Sequence, residues 1–200
     1  MTKTETFEVA GLLLAAGGGR RLGGRPKSLL PHRGGFLVEH AVRVLREGGC
    51  GPLHVVLGAA ADEVRARASL DGCTVVENPD WADGMGSSLR AGLDSLAGTG
   101  ASAALVLLVD QPGIGAAAVT RVRAAHRSSA SLASAAYDGE RGHPVLFGRD
   151  HWAGIAASAT GDRGARAYLK EHAGEVELVE CGDIAEAYDI DTEADLRHLE

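Results

Sequence analysis

Four solid apolar runs of strand length constrain this chain more than any other feature. They are Val9 to Ala15 (VAGLLLA), Leu53 to Leu57 (LHVVL), Cys73 to Glu77 (CTVVE) and Ala104 to Val109 (ALVLLV). Helical spacing fills the intervals. Phe36 to Glu47 carries Leu37, Val38, Ala41, Val42, Val44 and Leu45 on one broad face, and Gly48-Gly49 ends it. Asp62 to Leu70, Ser87 to Leu96 (capped by Ser87 or Gly86) and Ala116 to Arg127 read as further helices. A half-buried strand alternates apolar and polar residues; these runs do not alternate. They fit a parallel sheet covered by helices on both faces.

Beyond residue 130 the pattern becomes mixed. Ser131 to Tyr137, Pro144 to Phe147 and Val176 to Val179 read as strands. Trp152 to Ser158 and Ala165 to His172 read as helices. A last helix is expected over Thr192 to Leu199, with Thr192 as N-cap and Asp195 at its third helical position. No linker, charge block or repeat divides the 200 residues. The expectation is a single α/β domain over 1–200, with a core of about 9–196. It is three-layered and Rossmann-like, with a mostly parallel sheet and a mixed C-terminal part.

Composition narrows the function. The net charge is −7, with 20 Lys+Arg against 27 Asp+Glu. That balance disfavours a nucleic-acid groove but leaves room for a small phosphorylated ligand held by a few cations. No apolar run approaches the ~20 residues of a membrane span. The polar stretch Met1 to Glu8 is neither a signal nor a transit peptide. Cys50, Cys73 and Cys181 are odd in number and far apart, with no C-x-x-C pair, and read as reduced thiols of a cytoplasmic protein.

In open parallel sheets, ligands bind beyond the carboxyl ends of the strands, so the residues just after each strand carry the chemistry. After the first strand stands Leu14-Ala15-Ala16-Gly17-Gly18-Gly19-Arg20-Arg21-Leu22-Gly23-Gly24-Arg25-Pro26-Lys27. Glycines let backbone N–H groups approach a phosphate, and the four cations neutralise it. The acids are expected to lie elsewhere. The loop lacks the Gly-Lys pair of a P-loop. It also lacks the third glycine of a dinucleotide fingerprint, since Leu22 takes that place and no acid closes a strand about 20 residues on. After the third strand, Asn78 to Ser88 ends at a helix start where Ser87, Ser88 and free N–H groups suit an anion or a ribose. After the fourth, Asp110-Gln111-Pro112 offers a carboxylate for a divalent metal, or an ordinary turn. His143 reads equally as ligand, substrate contact or structural histidine. Asp191 reads equally as second metal ligand or helix-terminal carboxylate. Eight aromatic residues in all (Phe 3, Trp 2, Tyr 3) fit a ligand held through phosphates rather than by stacking.

Together these segments resemble the MobA-like nucleotidyltransferases. LLLAAGGGRRLGGRPK is similar to that family's LAAG-x-x-x-R-x-G-x-x-K signature. ENPDWADGMGSSLRAGL, VDQP, GHPVLFGRDHW, GDRGARAYL and YDIDTEADL follow in the order of its molybdenum cofactor cytidylyltransferase branch, so the resemblance runs from about Val9 to Leu196. It implies that Leu14, Ala15, Ala16, Gly17, Gly18 and Gly19 bind a nucleoside triphosphate whose phosphates Arg20 and Lys27 hold. Asn78, Ser87 and Ser88 would lie near base and ribose. Asp110, and Asp191 with it, would hold Mg2+. Gln111 and His143 would face the acceptor, a molybdopterin-type cofactor. Ala16, where guanylyl-transferring relatives tend to have Gly, points to CTP. Gly19 stands where Ser or Thr is common, and Gly113 where a larger residue is usual. The implied reaction transfers CMP to the acceptor's phosphate and expels pyrophosphate. Two alternatives remain open. One is GTP or another NTP acting on a pterin, a sugar phosphate or a phospholactate. The other is a carrier that delivers the cofactor to a molybdenum hydroxylase. An active enzyme is favoured, because a carrier has no need of a triphosphate cradle.

Overall fold

The computed structural model of the chain describes residues 8–199. Its strands are β1 (Val9–Ala15), β2 (Pro31–His32), β3 (Gly35–Phe36), β4 (Leu53–Leu57), β5 (Cys73–Glu77), β6 (Ala103–Leu108), β7 (Leu132–Tyr137), β8 (Glu140–Gly148) and β9 (Val176–Glu180). The helices are α1 (Leu37–Glu47), α2 (Ala61–Arg67), α3 (Met85–Leu96), α4 (Ala116–Arg123), α5 (Trp152–Ser158) and α6 (Arg166–Glu171). Seven strands form one sheet in the order β5-β4-β1-β6-β8-β7-β9, and β2 pairs with β3 as a small ribbon. β5, β4, β1 and β6 run parallel, as their largely apolar, non-alternating sequences predict. β8 is antiparallel to both neighbours, and β9 is again parallel to β7.

The reversal at β8 comes from a two-residue hairpin. Asp138 and Gly139 both have positive φ (53° and 82°), the conformation that joins twisted antiparallel strands most directly. The sequence pattern predicts a strand only from Pro144, and Glu140 to His143 extend it back to the hairpin.

Two apolar layers sandwich the sheet. On one face β1 and β4 meet α1, α2 and α4 through Leu13, Val38, Leu45, Val64 and Val119. On the other, Leu12, Val106 and Phe147 pack on α3, α5 and α6 through Leu93, Ile155 and Leu169. Of the predicted helices, α2 stops at Arg67 and α4 at Arg123, each a few residues short. α3 starts at Met85, with Gly84 in the cap position rather than Ser87 or Gly86. The expected C-terminal α-helix is a 3-10 segment, Glu193–Leu199. There the Asp195 carboxylate folds back and accepts hydrogen bonds from the Asp191 and Thr192 backbone N–H groups and the Thr192 hydroxyl. No helix among the described residues is long and apolar enough to cross a membrane.

His40 on α1 is buried edge-on against His32, with ring centroids 4.6 Å apart. Burial first, then His32, Arg33 and Arg43, lower its pKa to about 4. A histidine held neutral in the fold supports stability above its ordinary pKa of 6.5. That support is lost as pH falls from 6.5 towards 4. Protonation of His40 is therefore expected to cost about 3 kcal/mol across that window. Urea unfolding at pH 7.5 and pH 5 checks it: His40→Gln should lose visibly less stability on acidification than the wild type, and equal losses would contradict it.

Candidate functional site

The order of the strands fixes where a site can form. β4 and β5 lie on one side of β1, and β6 lies on the other, so the chain's direction of build-up switches between β1 and β6. At that switch the Val109 N–H donates to the Leu14 carbonyl at 3.2 Å. The glycine loop leaves β1 there, and Asp110 leaves β6.

The loop is held rather than loose. Leu22, which takes the place of a third glycine, is fully buried and anchors its middle. Gly19 has φ +61°, and a Cβ there would lie 2.0 Å from the Arg25 carbonyl oxygen. A Ser or Thr would not fit this loop, so glycine at 19 is required by the backbone rather than a weakened phosphate contact. Gly113 is similar: a Cβ would lie 2.4 Å from the Glu186 carbonyl oxygen, so no larger residue fits this turn.

A C-terminal segment completes the switch point. The Ile190 N–H donates to the Asp110 carbonyl at 2.9 Å, and the Gln111 side-chain amide donates to Asp189 at 2.9 Å. This lays Asp191 beside Asp110. Lys27, on a 3-10 turn after the loop, donates to both carboxylates, at 2.8 Å to Asp110 and 2.5 Å to Asp191. Arg21 pairs with Asp191 at 3.5 Å, and Arg25 pairs with Glu193. The expectation that the acids lie elsewhere is thus corrected: three of the loop's four cations face acids at its mouth. Arg20 has no carboxylate within 4 Å among the described residues.

Electrostatics bind this triad together. Burial pushes the Lys27 ammonium down, but Asp110 and Asp191 outweigh it and leave its pKa above the usual lysine value. Burial pushes the Asp110 carboxyl up; Lys27 offsets this in part, while Asp189 and Asp191 add to it.

Two cavities meet at the triad. The smaller, of about 380 Å³, is lined by Gly17, Gly18, Gly19, Arg20, Lys27 and Ser88, with Trp81 and Met85 on its far wall. The larger, of about 890 Å³, is lined by Gln111 and His143, by apolar side chains of the sheet face, and by an outer rim of basic residues. Leu14, Met85, Leu108, Asp110, Asp162 and Asp191 line both. Leu14, Ala16, Gly17, Gly18, Gly19, Arg20, Lys27, Ser88, Asp110, Asp191, Gln111 and His143 are thereby gathered around one crevice. Ala15 lies beneath it, its carbonyl accepting from the Ser28 hydroxyl at 3.3 Å. Asn78 and Ser87 line neither cavity. The Asn78 amide donates to the Ser87 and Ser88 hydroxyls at 2.9 and 3.0 Å, and Ser87 donates to the Asp80 and Gly84 carbonyls. They shape the loop that carries Trp81. His143 is half-buried, and burial, then Arg166, brings its pKa down to about 4, so it is a neutral hydrogen-bonding group.

Nothing in the sequence marks Trp81, which also lines the smaller cavity, as a site residue. Its ring lies against Gly18, where a Cβ would be 3.0 Å away, so an aromatic wall does face the smaller cavity. Burial raises the pKa of all three thiols, Cys50 to about 12, and none lines either cavity.

Residues 11–176 match the MobA-like NTP transferase domain. The chain belongs to this family of nucleotidyltransferase enzymes. A protein from Paenarthrobacter nicotinovorans, named nicotine blue oxidoreductase, is 43% identical to it over 96% of each chain. The molybdenum cofactor guanylyltransferase of Rhodobacter capsulatus is 33% identical over 73% of this chain and 66% of its own. Among solved structures, Rv0371c of Mycobacterium tuberculosis H37Rv superposes with a TM-score of 0.78, 31% identity and coverage of 96% of this chain and 97% of that one. Its complex with manganese gives a TM-score of 0.74 and 30% identity over 96% and 97% of the two chains.

Proposed function

We propose that this MobA-like enzyme transfers a cytidylyl group from CTP to the phosphate of a molybdopterin-type cofactor and releases pyrophosphate. The observation that carries the reading is the shared wall: two cavities, one glycine-lined and one larger, open on the same Lys27–Asp110–Asp191 cluster. A donor and an acceptor placed in them would react across it.

In that reaction a phosphate oxygen of the acceptor attacks the α-phosphorus. The new P–O bond forms as the bond to the β-phosphate oxygen breaks, and the electron pair leaves with pyrophosphate. The nucleophile is already an anion, so no strong general base is required. The chain's part is alignment and charge stabilisation. Backbone N–H groups of Gly17 to Gly19 supply fixed donors. Arg20, which has no acidic partner among the described residues, and Lys27 take the phosphate charge.

Asp110 and Asp191 are the residues that would hold a divalent cation, with Mg2+ proposed. They already bracket one positive charge, the Lys27 ammonium, and two carboxylates leave the other positions to phosphate and water oxygens, as Mg2+ prefers. Such a cation supplies Lewis-acid neutralisation of phosphate oxygens when bound. The manganese complex of the similar Rv0371c supports a divalent metal. Delivery of the product to a molybdenum hydroxylase is part of the same proposal, as is a cytoplasmic setting, which the three unpaired thiols favour.

A second reading has its own observation, the full-length relative named an oxidoreductase. On it, a redox dinucleotide would occupy the glycine-lined cavity and its oxidised or reduced partner the larger one. Thermal-shift measurements with CTP, GTP, ATP, UTP, NADH and NADPH, with and without Mg2+, separate the readings. Pyrophosphate assays with molybdopterin-type cofactor follow. CTP is expected to give the largest metal-dependent shift and the only rapid pyrophosphate release. A preference for GTP would reassign the donor, and stabilisation by a nicotinamide dinucleotide alone would favour the redox reading.

A further inference from the structure

We infer that the larger cavity selects an acceptor with a planar apolar body and a second anionic group, remote from the reacting one, and that Arg163 and Arg166 read that group. The inference rests on the reading above in taking this cavity as the acceptor's.

Four basic side chains converge on its outer rim: Arg141 from β8, Arg163 from the turn before α6, and Arg166 and Lys170 from α6. In a chain of net charge −7 such a gathering is unusual. Among the described residues, none of the four lies within 4 Å of a carboxylate, whereas Arg21, Arg25, Lys27, Arg65, Arg67, Arg121 and Arg127 all do. Glu140 also reaches the rim, and Asp162, beside Arg163, lines the wall shared with the smaller cavity, so the cations outnumber the acids there. Arg166 and Lys170 stand four residues apart on one helix, a like-charge spacing that weakens a helix on its own. A bound anion would turn that repulsion into a clamp, and a guanidinium fork suits a carboxylate or a phosphate.

The opposite end has the other sign, with Asp110, Asp189 and Asp191. Between the ends, Leu89, Val106, Val145 and Phe147 form an apolar wall, and neutral His143 and Gln111 supply the polar contacts. The Gln111 side-chain oxygen, Oε1, is buried without a hydrogen-bond partner among the described residues. The cavity therefore has a charge polarity along its length. An acceptor anchored at the rim by one anion would present its other end to the wall shared with the smaller cavity, where Asp110 and Asp191 hold Lys27.

The test uses matched fluorescent pairs: pterin against pterin-6-carboxylate, and riboflavin against riboflavin 5′-phosphate. The first pair tests a carboxylate anchor and the second a phosphate anchor. Binding is read by anisotropy in wild type and in the double variant Arg163→Gln, Arg166→Gln. At least one anionic probe is expected to bind about tenfold more tightly than its neutral twin at low salt. That preference should shrink as salt is added and vanish in the double variant. The variant should keep the wild-type melting temperature and the wild-type shift with CTP, because both side chains are exposed and neither lines the glycine-lined cavity. Equal binding within both pairs, failure of both anionic probes to bind, or a preference that survives in the double variant would overturn the inference. These probes need no turnover. Absence of any nucleotide shift would defeat the transfer reading while leaving the rim's selectivity standing, and the reverse result would do the opposite.

Discussion

Replacing Asp110 with alanine is expected to slow pyrophosphate release about 10²–10³-fold, or ~3–4 kcal/mol in the barrier, in a protein that still folds. The carboxylate sits where β6 ends, on the wall common to both cavities, and burial raises its pKa. A fold gains nothing from a desolvated acid with a raised pKa, so its removal should leave the melting temperature near that of the wild type. Lys27 keeps Asp191 as a partner. Asp110→Asn, which preserves shape and one acceptor but not charge, should be nearly as slow as the alanine variant if negative charge is the requirement. Near-normal turnover in a folded Asp110→Ala protein would return Asp110 to a turn-forming role.

Lys27→Met is expected to lose a similar factor in turnover and to show a distinctive pH dependence of stability. In the wild type, Lys27 is what restrains the upward shift of the Asp110 carboxyl. Without it the folded-state pKa of Asp110 rises further above its unfolded value. A carboxyl group raised in this way favours the fold at low pH, and that contribution disappears as pH rises through the folded-state pKa. The variant should therefore be weakest relative to wild type at neutral pH, by about 3 kcal/mol, the scale for stripping one partner from a buried pair. The deficit should narrow on acidification. In the wild type the raised Lys27 pKa keeps the lysine's own contribution complete below pH 10.5, so it adds no slope between pH 5 and 7.5. Urea midpoints at those two values decide the matter, and a deficit that stays constant or grows towards pH 5 would show that Asp110 is not the group left stranded.

The parallel half of the sheet was legible because burial on both faces makes β1 and β6 wholly apolar and leaves β4 a single polar residue, His54, which meets the Ser95 hydroxyl; their bounds agree with the apolar runs to within a residue. β8 was half hidden. Its first residues, Glu140 to His143, line a cavity wall and are polar for that reason, and the Asp138-Gly139 pair was the available signal for the hairpin that leads into it. The glycine loop, Lys27 and Asp110 were legible because each stands at a strand end or close to one. The ion pairs of Arg21, Arg25 and Lys27 with Asp191 and Glu193 were not, because nothing local marks contacts across such separations. The same holds for the rim of Arg141, Arg163, Arg166 and Lys170. Trp81 was hidden by its context: in sequence it looks like a loop plug, and only the approach of Gly18 reveals which surface it covers.

The segment that carries Asp191 implies an order of assembly. Lys27 and Asp110 are 83 residues apart, but Lys27 and Asp191 are 164 apart, and the shared MobA-like region ends at residue 176. During synthesis the loop and the first carboxylate emerge and can dock while the third member of the cluster has yet to be made. Closing so long a loop has an entropic cost that grows only slowly with length. The late segment of residues 189–191 can therefore still thread its Ile190 N–H onto Asp110 once the sheet exists. Between the making of Asp110 and the making of Asp191, a nascent chain would carry two members of the charge cluster on a forming scaffold, and competence would arrive with the clasp.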